Sequence, residues 1–476
     1  MSLHNVEEVD VLIIGTGLAA VSAALHLPSH LKVILVSKGT KTETNSMRAQ
    51  GGIASAYLEE NHFSHQVDTE QAAKGRTDET MISFITATGR QVIQELETFG
   101  VVFDREVTGE YALGQEGAHS RPRIFHIGGD RTGERMMTQL LQQLDHPVIE
   151  DTVITELLMN RQQVVGARGY RGQTPVVFSA RAVILATGGI GGLFTASTNE
   201  PDLTGDGLAL AAQVGARLSD LGYIQHHPTV LLHDGVSQGL ITEALRGAGA
   251  YLMTTDGRRV MADHPQGDLA ARDEVARRIT TVREQEPVYL NTTSVEQLHR
   301  RFPTFVKKCE TLNISPGIVE VTTGVHFLMG GIKTDRLGRT TVPGLYAVGE
   351  TASTGLHGKN RLASNSLLEC FVMGKELALR LQLPTRQLLP DIEIVQEREP
   401  EPLDSSWAEA LSVQLDERLL KQTLETFQHQ PDEQGSGRDA ELRRLHRMTA
   451  KLLLEGAIQR LKGEQPHEQM VPTTTT

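Results

Sequence analysis

Residues 9–36 read VDVLIIGTGLAAVSAALHLPSHLKVILV, and this stretch decides the fold. Val9–Ile14 is apolar except for Asp10, as expected of a strand buried on both faces. Gly15-Thr16-Gly17-Leu18-Ala19-Ala20 follows, then an Ala-rich helix to about Leu27 and a second apolar strand, Lys32–Val36. The order is that of a βαβ unit in which small residues let the backbone approach a pyrophosphate at a helix N-terminus. A glycine pattern alone is weak. Its place between a strand and a helix favours dinucleotide binding over a plain α/β turn. Ala20 stands where a third glycine is usual, and the second strand ends on Ser37-Lys38 rather than on an acidic residue. Ribose contacts must therefore come from elsewhere.

A second organising stretch lies far along the chain: Gly344–Glu369, GLYAVGETASTGLHGKNRLASNSLLE. The short β-run Leu345–Val348 ends on Gly349-Glu350. A Gly-rich connection carries His357, Lys359 and Arg361, and Ser364 and Asn365 are suitable caps for a helix over Ser366–Leu381. Its apolar residues Leu367, Leu368, Phe371, Val372 and Leu377 recur at helical spacing. A carboxylate at a strand end, a cationic loop and a helix N-terminus make an anion-facing surface. The competing reading is an ordinary strand–loop–helix with solvated charges.

Composition narrows the classes. The chain has 476 residues, enough for several domains, and its 46 basic and 59 acidic residues give a net charge of −13. That balance argues against nucleic-acid binding, and an anionic substrate would need local positive charge. Two cysteines, Cys309 and Cys370, cannot form a disulfide framework, an iron–sulfur set or a Cys-rich zinc site. The start MSLHNVEEVD is acidic and carries no signal-peptide pattern. No apolar run approaches a membrane span. The expectation is a soluble, cytoplasmic protein.

Between the two stretches, Gln50-Gly51-Gly52 reads as a tight turn able to bring backbone N–H groups to a flat ring, or as a simple glycine turn. Gln66–Gly75, Asp78–Phe99 and Arg131–Leu144 read as helices. Glu116, in a Gly-flanked loop, is either a solvated carboxylate or a substrate-facing base. Val148–Phe178 suggests a meander of short strands, and Ala182–Ala186 a buried strand ending in Thr187-Gly188-Gly189. Asp206, opening a helix through Ala212, can cap it or meet a ribose or ring group. Tyr251–Val260 is hairpin-like. His226-His227 invites a metal reading, but neighbours on an extended segment point apart, so no metal site is expected.

The fold class expected is α/β: a Rossmann-like dinucleotide-binding domain (1–220 and 328–385), FAD-binding by the resemblance given next, with an inserted α+β capping domain (221–327). A Pro-rich acidic linker (386–405) and a short C-terminal helical region (406–476) follow. That region reads as helices near Trp407–Phe427 and Asp439–Lys462, a turn at Gln430–Gly437 and a disordered tail.

Nine ordered motifs then carry a resemblance: AQGGIA, QEGAHS, ATGG, TGDG, HHPT, TEALRG, ARDEVARRI, HFLMGGI and GLHGKNRLASNSLLE. They resemble the L-aspartate oxidase branch of the succinate dehydrogenase/fumarate reductase flavoprotein family, over about Val9–Leu381. The resemblance implies FAD held by Gly15, Thr16, Gly17, Leu18, Ala19 and Lys38, and by the turn Asn45, Ser46, Met47, Arg48, Ala49, Gln50, Gly51 and Gly52. It adds Asp206, Glu350, Ser366 and Leu367 to that set. It implies a dicarboxylate (L-aspartate or fumarate) gripped by His227, Thr242, His326 and Arg361, Arg272 as proton donor and acceptor, and Glu116 facing the substrate amine. The implied reaction is oxidation of L-aspartate to iminosuccinate with fumarate or dioxygen as acceptor, for quinolinate and NAD biosynthesis. Quinolinate synthase is the implied partner, and the protein is expected as a monomer or homodimer.

Several residues depart from the family pattern: His226 for an aromatic, Ala271 for a proline, Arg48 for a tyrosine, and Lys359 for a small residue. A GIVR-type segment is also missing from the short C-terminal region. Two other functions compete. A soluble fumarate reductase or succinate dehydrogenase-type flavoprotein shares the fold. Asn45 stands where the membrane-complex relatives carry the histidine that binds flavin covalently, so the flavin should be non-covalent. A non-catalytic flavin-binding paralogue would have no need of the complete set His227, Thr242, Arg272, His326 and Arg361.

Overall fold

In the computed structural model of the chain, the described residues are 6–57, 62–389, 405–429 and 437–463. The first strand, Val6–Ile14, runs parallel to Val33–Val36 on one side and to Thr174–Leu185 on the other. The helix Leu18–His26 joins the first pair. Val148–Ile149 extends the sheet beyond Val33–Val36, and Leu345–Ala347 pairs in parallel with Val183–Leu185. Alternate residues of the first strand face opposite layers, as strand geometry requires. Val11 and Ile13 join a core with the helices Leu18–His26, Glu79–Thr98, Thr132–Gln142 and Asn365–Arg380. Leu12 and Ile14 join the opposite core, built from Asp206–Gln213 and the C-terminal helices. This is the Rossmann-like arrangement read from the sequence.

The meander differs from expectation. Its strands are long, Thr152–Asn160, Gln163–Arg171 and Thr174–Leu185, and they are continuous with the main sheet. Ala182–Leu185 is the far end of the last of them. One half of that strand pairs antiparallel with Gln163–Arg171 and the other half parallel with Leu345–Ala347. A single strand thus serves both patterns, which apolar runs alone do not reveal.

A second sheet of five strands, in the order 236–240, 224–233, 318–328, 288–291, 251–254, carries its own core with the helices Arg272–Arg283 and Pro303–Thr311. The return arm of the hairpin-like segment makes only the bridge Met253–Arg259, and Tyr251–Thr254 pairs with Val288–Asn291.

At the C-terminal end, the helix expected from Trp407 is broken into a 3₁₀ turn, Ser405–Leu411, and a helix, Glu417–His429. Asp416 starts the second piece: its carboxylate accepts the Leu419 N–H (2.9 Å) and its carbonyl the Leu420 N–H (3.0 Å). The last helix is Arg438–Lys462. Most of the expected linker and turn, and the expected tail, lie outside the described residues. No helix among the described residues is long and apolar enough to cross a membrane.

Candidate active site

A cavity open to solvent lies at the carboxyl ends of the central strands. Gly15–Ala19 form its floor, with Lys38, Asn45, Ser46, Asp206 and Glu350 around it. Gly15 has φ +119°, and a Cβ there would sit 2.2 Å from the Ala186 carbonyl oxygen, so the turn admits no side chain. The helix Leu18–His26 points its N-terminus here, and Ser46 Oγ accepts the Leu18 N–H (2.9 Å). Lys38 donates to Asp206 (2.9 Å) and Thr204 (2.8 Å). Burial would raise the Asp206 pKa, but Lys38 and His446 outweigh it and hold the carboxyl far below the usual range. Glu350 is the opposite case. Burial pushes it up to about 7, only partly offset by the Leu328 N–H that donates to it (3.0 Å).

Met47–Gly52, Ser366 and Leu367 do not line this cavity. Ala49 accepts the Gly133 N–H (2.8 Å), Gln50 donates to the Leu240 carbonyl (3.4 Å), and Arg48 pairs with Glu200 at 3.2 Å. Gly51 faces the next cluster: a Cβ on it would lie 2.9 Å from Glu116 Oε1.

That cluster is built from buried charges. Arg361 donates to Ser366 Oγ (2.7 Å) and His326 Nε2 (2.8 Å), its guanidinium lies 4.4 Å from the Phe327 ring centre, and its buried Nε has no partner. Arg272 donates to Glu243 (2.5 Å) and Gln225 (3.2 Å). Glu243 also accepts from Arg246 (2.8 Å). The two histidine rings, His227 and His326, meet edge to face at 4.9 Å. Thr242 is buried, and its hydroxyl accepts the Ala244 N–H (3.3 Å). Glu116 is 2% exposed and accepts from Ser364 Oγ (2.6 Å), which rules out the solvated reading.

The charge states follow from these partners. Burial, then the nearby arginines, drives both histidines well below their ordinary pKa, so both are neutral. His227 Nδ1 lies 3.1 Å from the Thr229 nitrogen and 3.2 Å from the Thr229 carbonyl oxygen, so it can accept from the one or donate to the other. His326 Nε2 accepts from Arg361, so its proton is on Nδ1, toward Thr198 Oγ1 (2.7 Å). Burial would raise Glu243, but Arg272 and Arg246 hold it well below the carboxylate range. Burial also raises Glu116, and the neighbouring Glu243 adds to the effect. Burial and then the charge of Arg272 pull Arg361 below its ordinary range. The geometry can bind and orient a small anion, and the raised carboxyl of Glu116 can exchange a proton.

The sequence profile of the FAD binding domain family matches residues 10–367. The chain is 43% identical to the L-aspartate oxidase of Bacillus subtilis (strain 168) over 377 residues, which is 77% of this chain and 71% of that protein. It is 42% identical over 395 residues to the L-aspartate oxidase of Synechocystis sp. (strain ATCC 27184 / PCC 6803 / Kazusa), 79% of this chain and 71% of that one. The chain belongs to the L-aspartate oxidase family. A quinol fumarate reductase chain from E. coli matches the fold alone, with TM-score 0.81 at 24% identity, covering 95% of this chain and 88% of that chain.

FAD is the cofactor of this family, and the cavity fits it. Backbone flanked by Gly15 and Gly17 lies at the helix N-terminus, where a pyrophosphate would sit. Glu350 presents a half-buried carboxylate that accepts the Leu328 N–H, suited to hydroxyl groups. Gly189 leaves room for that carboxylate, since a Cβ there would lie 2.1 Å from Glu350 Oε1.

Some sequence readings of this region need correction. Ser364 is not a side-chain cap. It sits at φ +62°, and its hydroxyl is committed to Glu116. The loop is less cationic than it reads, because His357 pairs with buried Glu369 (2.8 Å) and Lys359 points to solvent. Sequence reasoning also missed Glu243, Gln225 and Asn360. Glu243 had a signal, an acid three residues before Arg246 and beside Thr242. Gln225, which bonds Arg272, Asn360 (2.8 Å) and the Arg361 carbonyl (2.9 Å), had none.

Proposed function

We propose that the protein oxidises L-aspartate to iminosuccinate, passing the electrons to fumarate or dioxygen. The observation that carries this reading is Arg361: a buried guanidinium whose side-chain partners are a neutral hydroxyl and a neutral histidine, with one N–H unpartnered. A buried charge without a direct ion-pair partner is costly, and a substrate carboxylate would supply one with bidentate geometry. Arg272 differs, since it already has an ion pair with Glu243, which it shares with Arg246.

In this reading Arg361, His227, His326 and Thr242 fix the two carboxylates, so that the α-carbon C–H has one orientation. His227, with its proton on Nε2, offers a neutral donor. His326 must both release Arg361 and take its proton on Nε2 before that nitrogen can donate to substrate. Glu116 faces the α-amino group and separates aspartate from succinate by charge. Arg272 moves the proton in the fumarate direction, with Glu243 holding its side chain. FAD, when bound, supplies the hydride acceptor. Gly15–Ala19, Lys38, Asn45, Ser46, Asp206 and Glu350 are its proposed contacts in the cavity; Met47–Gly52, Ser366 and Leu367, which lie beyond that lining, are proposed contacts toward the Arg361 cluster, and residues 221–327 the cap over it. A cytoplasmic location, a monomer or homodimer, and supply of product to quinolinate synthase belong to the same proposal.

The test is product analysis of the flavin-loaded protein with L-aspartate under air. Oxaloacetate and ammonia, from hydrolysis of the imine, should appear with one hydrogen peroxide per turnover. Under nitrogen with fumarate, succinate should replace the peroxide. Turnover of succinate with none of aspartate would favour the fumarate reductase reading instead.

A further inference from the structure

The helix Phe63–Ala73 ends in three consecutive left-handed residues, Lys74 (φ +54°), Gly75 (φ +88°) and Arg76 (φ +62°). This turn touches both arginines of the site indirectly. On one side it docks the Arg361 loop: Ala73 O accepts the Lys359 N–H (2.8 Å) and Ala72 O accepts from Asn360 Nδ2 (2.9 Å). Gly358 lies so close that a Cβ on it would fall 2.2 Å from Gly75 O. On the other side, Lys74 Nζ donates to Asp273 (2.7 Å) and Glu274 (2.8 Å), the two residues after Arg272 in the first turn of Arg272–Arg283. The circuit closes through Gln225, which accepts from Arg272 and donates to Asn360.

We propose that Lys74 is a positioning residue for the reaction: by bridging Asp273 and Glu274 it fixes the Arg272 turn against the same segment that docks the Arg361 loop, and so sets the spacing of the two arginines. The bridge joins the inserted sheet's helix to the FAD-binding domain. The carboxylates keep other partners without it, since Glu274 lies 3.2 Å from His264 and Asp273 lies 3.7 Å from Arg277. Removing Lys74 therefore loosens the helix start without unfolding it. About a third of the lysine side chain (34%) stays open to solvent, so salt should weaken the bridge.

The proposal rests on the L-aspartate reading for its kinetic arm only. In the holoenzyme, Lys74→Ala should lower kcat/KM for L-aspartate by about three- to fivefold, the upper end of the scale of a partly exposed pair. Flavin content and Tm should not change, and Lys74→Arg should restore activity to within about twofold. High salt should cost the wild type a similar factor and leave Lys74→Ala unaffected. Independently of any substrate, amide hydrogen exchange over residues 272–276 should quicken in the Lys74→Ala holoenzyme and not in Lys74→Arg. Unchanged exchange in Lys74→Ala overturns the proposal whatever the activity. So does an equal loss in both variants, or a loss that tracks flavin release or a lower Tm. If the wild type itself does not oxidise L-aspartate, the functional reading fails and exchange alone decides the role of Lys74.

Discussion

Replacing Glu116 by glutamine separates amine recognition from carboxylate binding. The side chain is 2% exposed, one oxygen is taken by Ser364 Oγ at 2.6 Å, and Glu243 and Arg272 are its charged neighbours. Glutamine keeps the shape and an acceptor for Ser364 but removes the charge. A hydrogen bond to a charged group contributes about 1.5–3 kcal/mol and a neutral one about 0.5–1.5 kcal/mol, so the difference is about 1–2 kcal/mol. That is roughly a 5- to 30-fold loss of kcat/KM for L-aspartate. Fumarate has no amine and should lose little. The pH profile adds a second reading. Burial and Glu243 raise the Glu116 pKa, and only the ionised carboxylate attracts an ammonium group. The wild-type kcat/KM for L-aspartate should therefore climb with pH through that raised pKa, and the climb should vanish in Glu116→Gln. The assay is steady-state kinetics with both substrates over a pH series that starts below the ordinary carboxyl range and runs well above it. Equal losses for aspartate and fumarate, or an unchanged pH limb, would show that Glu116 shapes the loop and does not read the amine.

Other outcomes are as definite. Arg361→Leu should damage aspartate oxidation and fumarate reduction alike, by about 2–5 kcal/mol, because both substrates carry the carboxylate; a selective loss would contradict the clamp. Acid precipitation should release the flavin into the supernatant, since Asn45 offers no nucleophile for a covalent link; fluorescence retained in the pellet would refute this. Glu350 supplies a stability test. Its folded pKa of about 7 exceeds the usual carboxyl value, so the folded apoprotein binds the extra proton and loses stability as pH rises from the unfolded to the folded pKa. The full loss is about 3 kcal/mol, and Glu350→Gln should flatten it in urea denaturation of apoprotein. An unchanged slope would place the titration elsewhere.

The fold was legible where period and glycine placement coincide. Val9–Val36 shows a strand, a turn bordered by glycines and a helix in order, and strand and helix rules suffice for it. The meander was misjudged because pairing, not composition, makes Thr174–Leu185 one strand. In the site, Arg272, Arg361, His227 and His326 were found through motif order, and the structure brings them together from separate elements. Glu116 was undecided from sequence, because burial of a loop carboxylate depends on Ser364 and Gly51, distant in the chain. Gln225 and Lys74 were invisible for the same reason: each acts through partners tens to hundreds of residues away. Ser364 misled most directly. Its type suits a helix cap, but its hydroxyl is committed elsewhere.

The most direct measurement is anaerobic stopped-flow mixing of the oxidised holoenzyme with L-aspartate and, separately, with succinate. The proposed function predicts that L-aspartate bleaches the yellow flavin absorbance rapidly and that succinate does so far more slowly or not at all. Bleaching by succinate with no response to L-aspartate, or no bleaching by either, would contradict it.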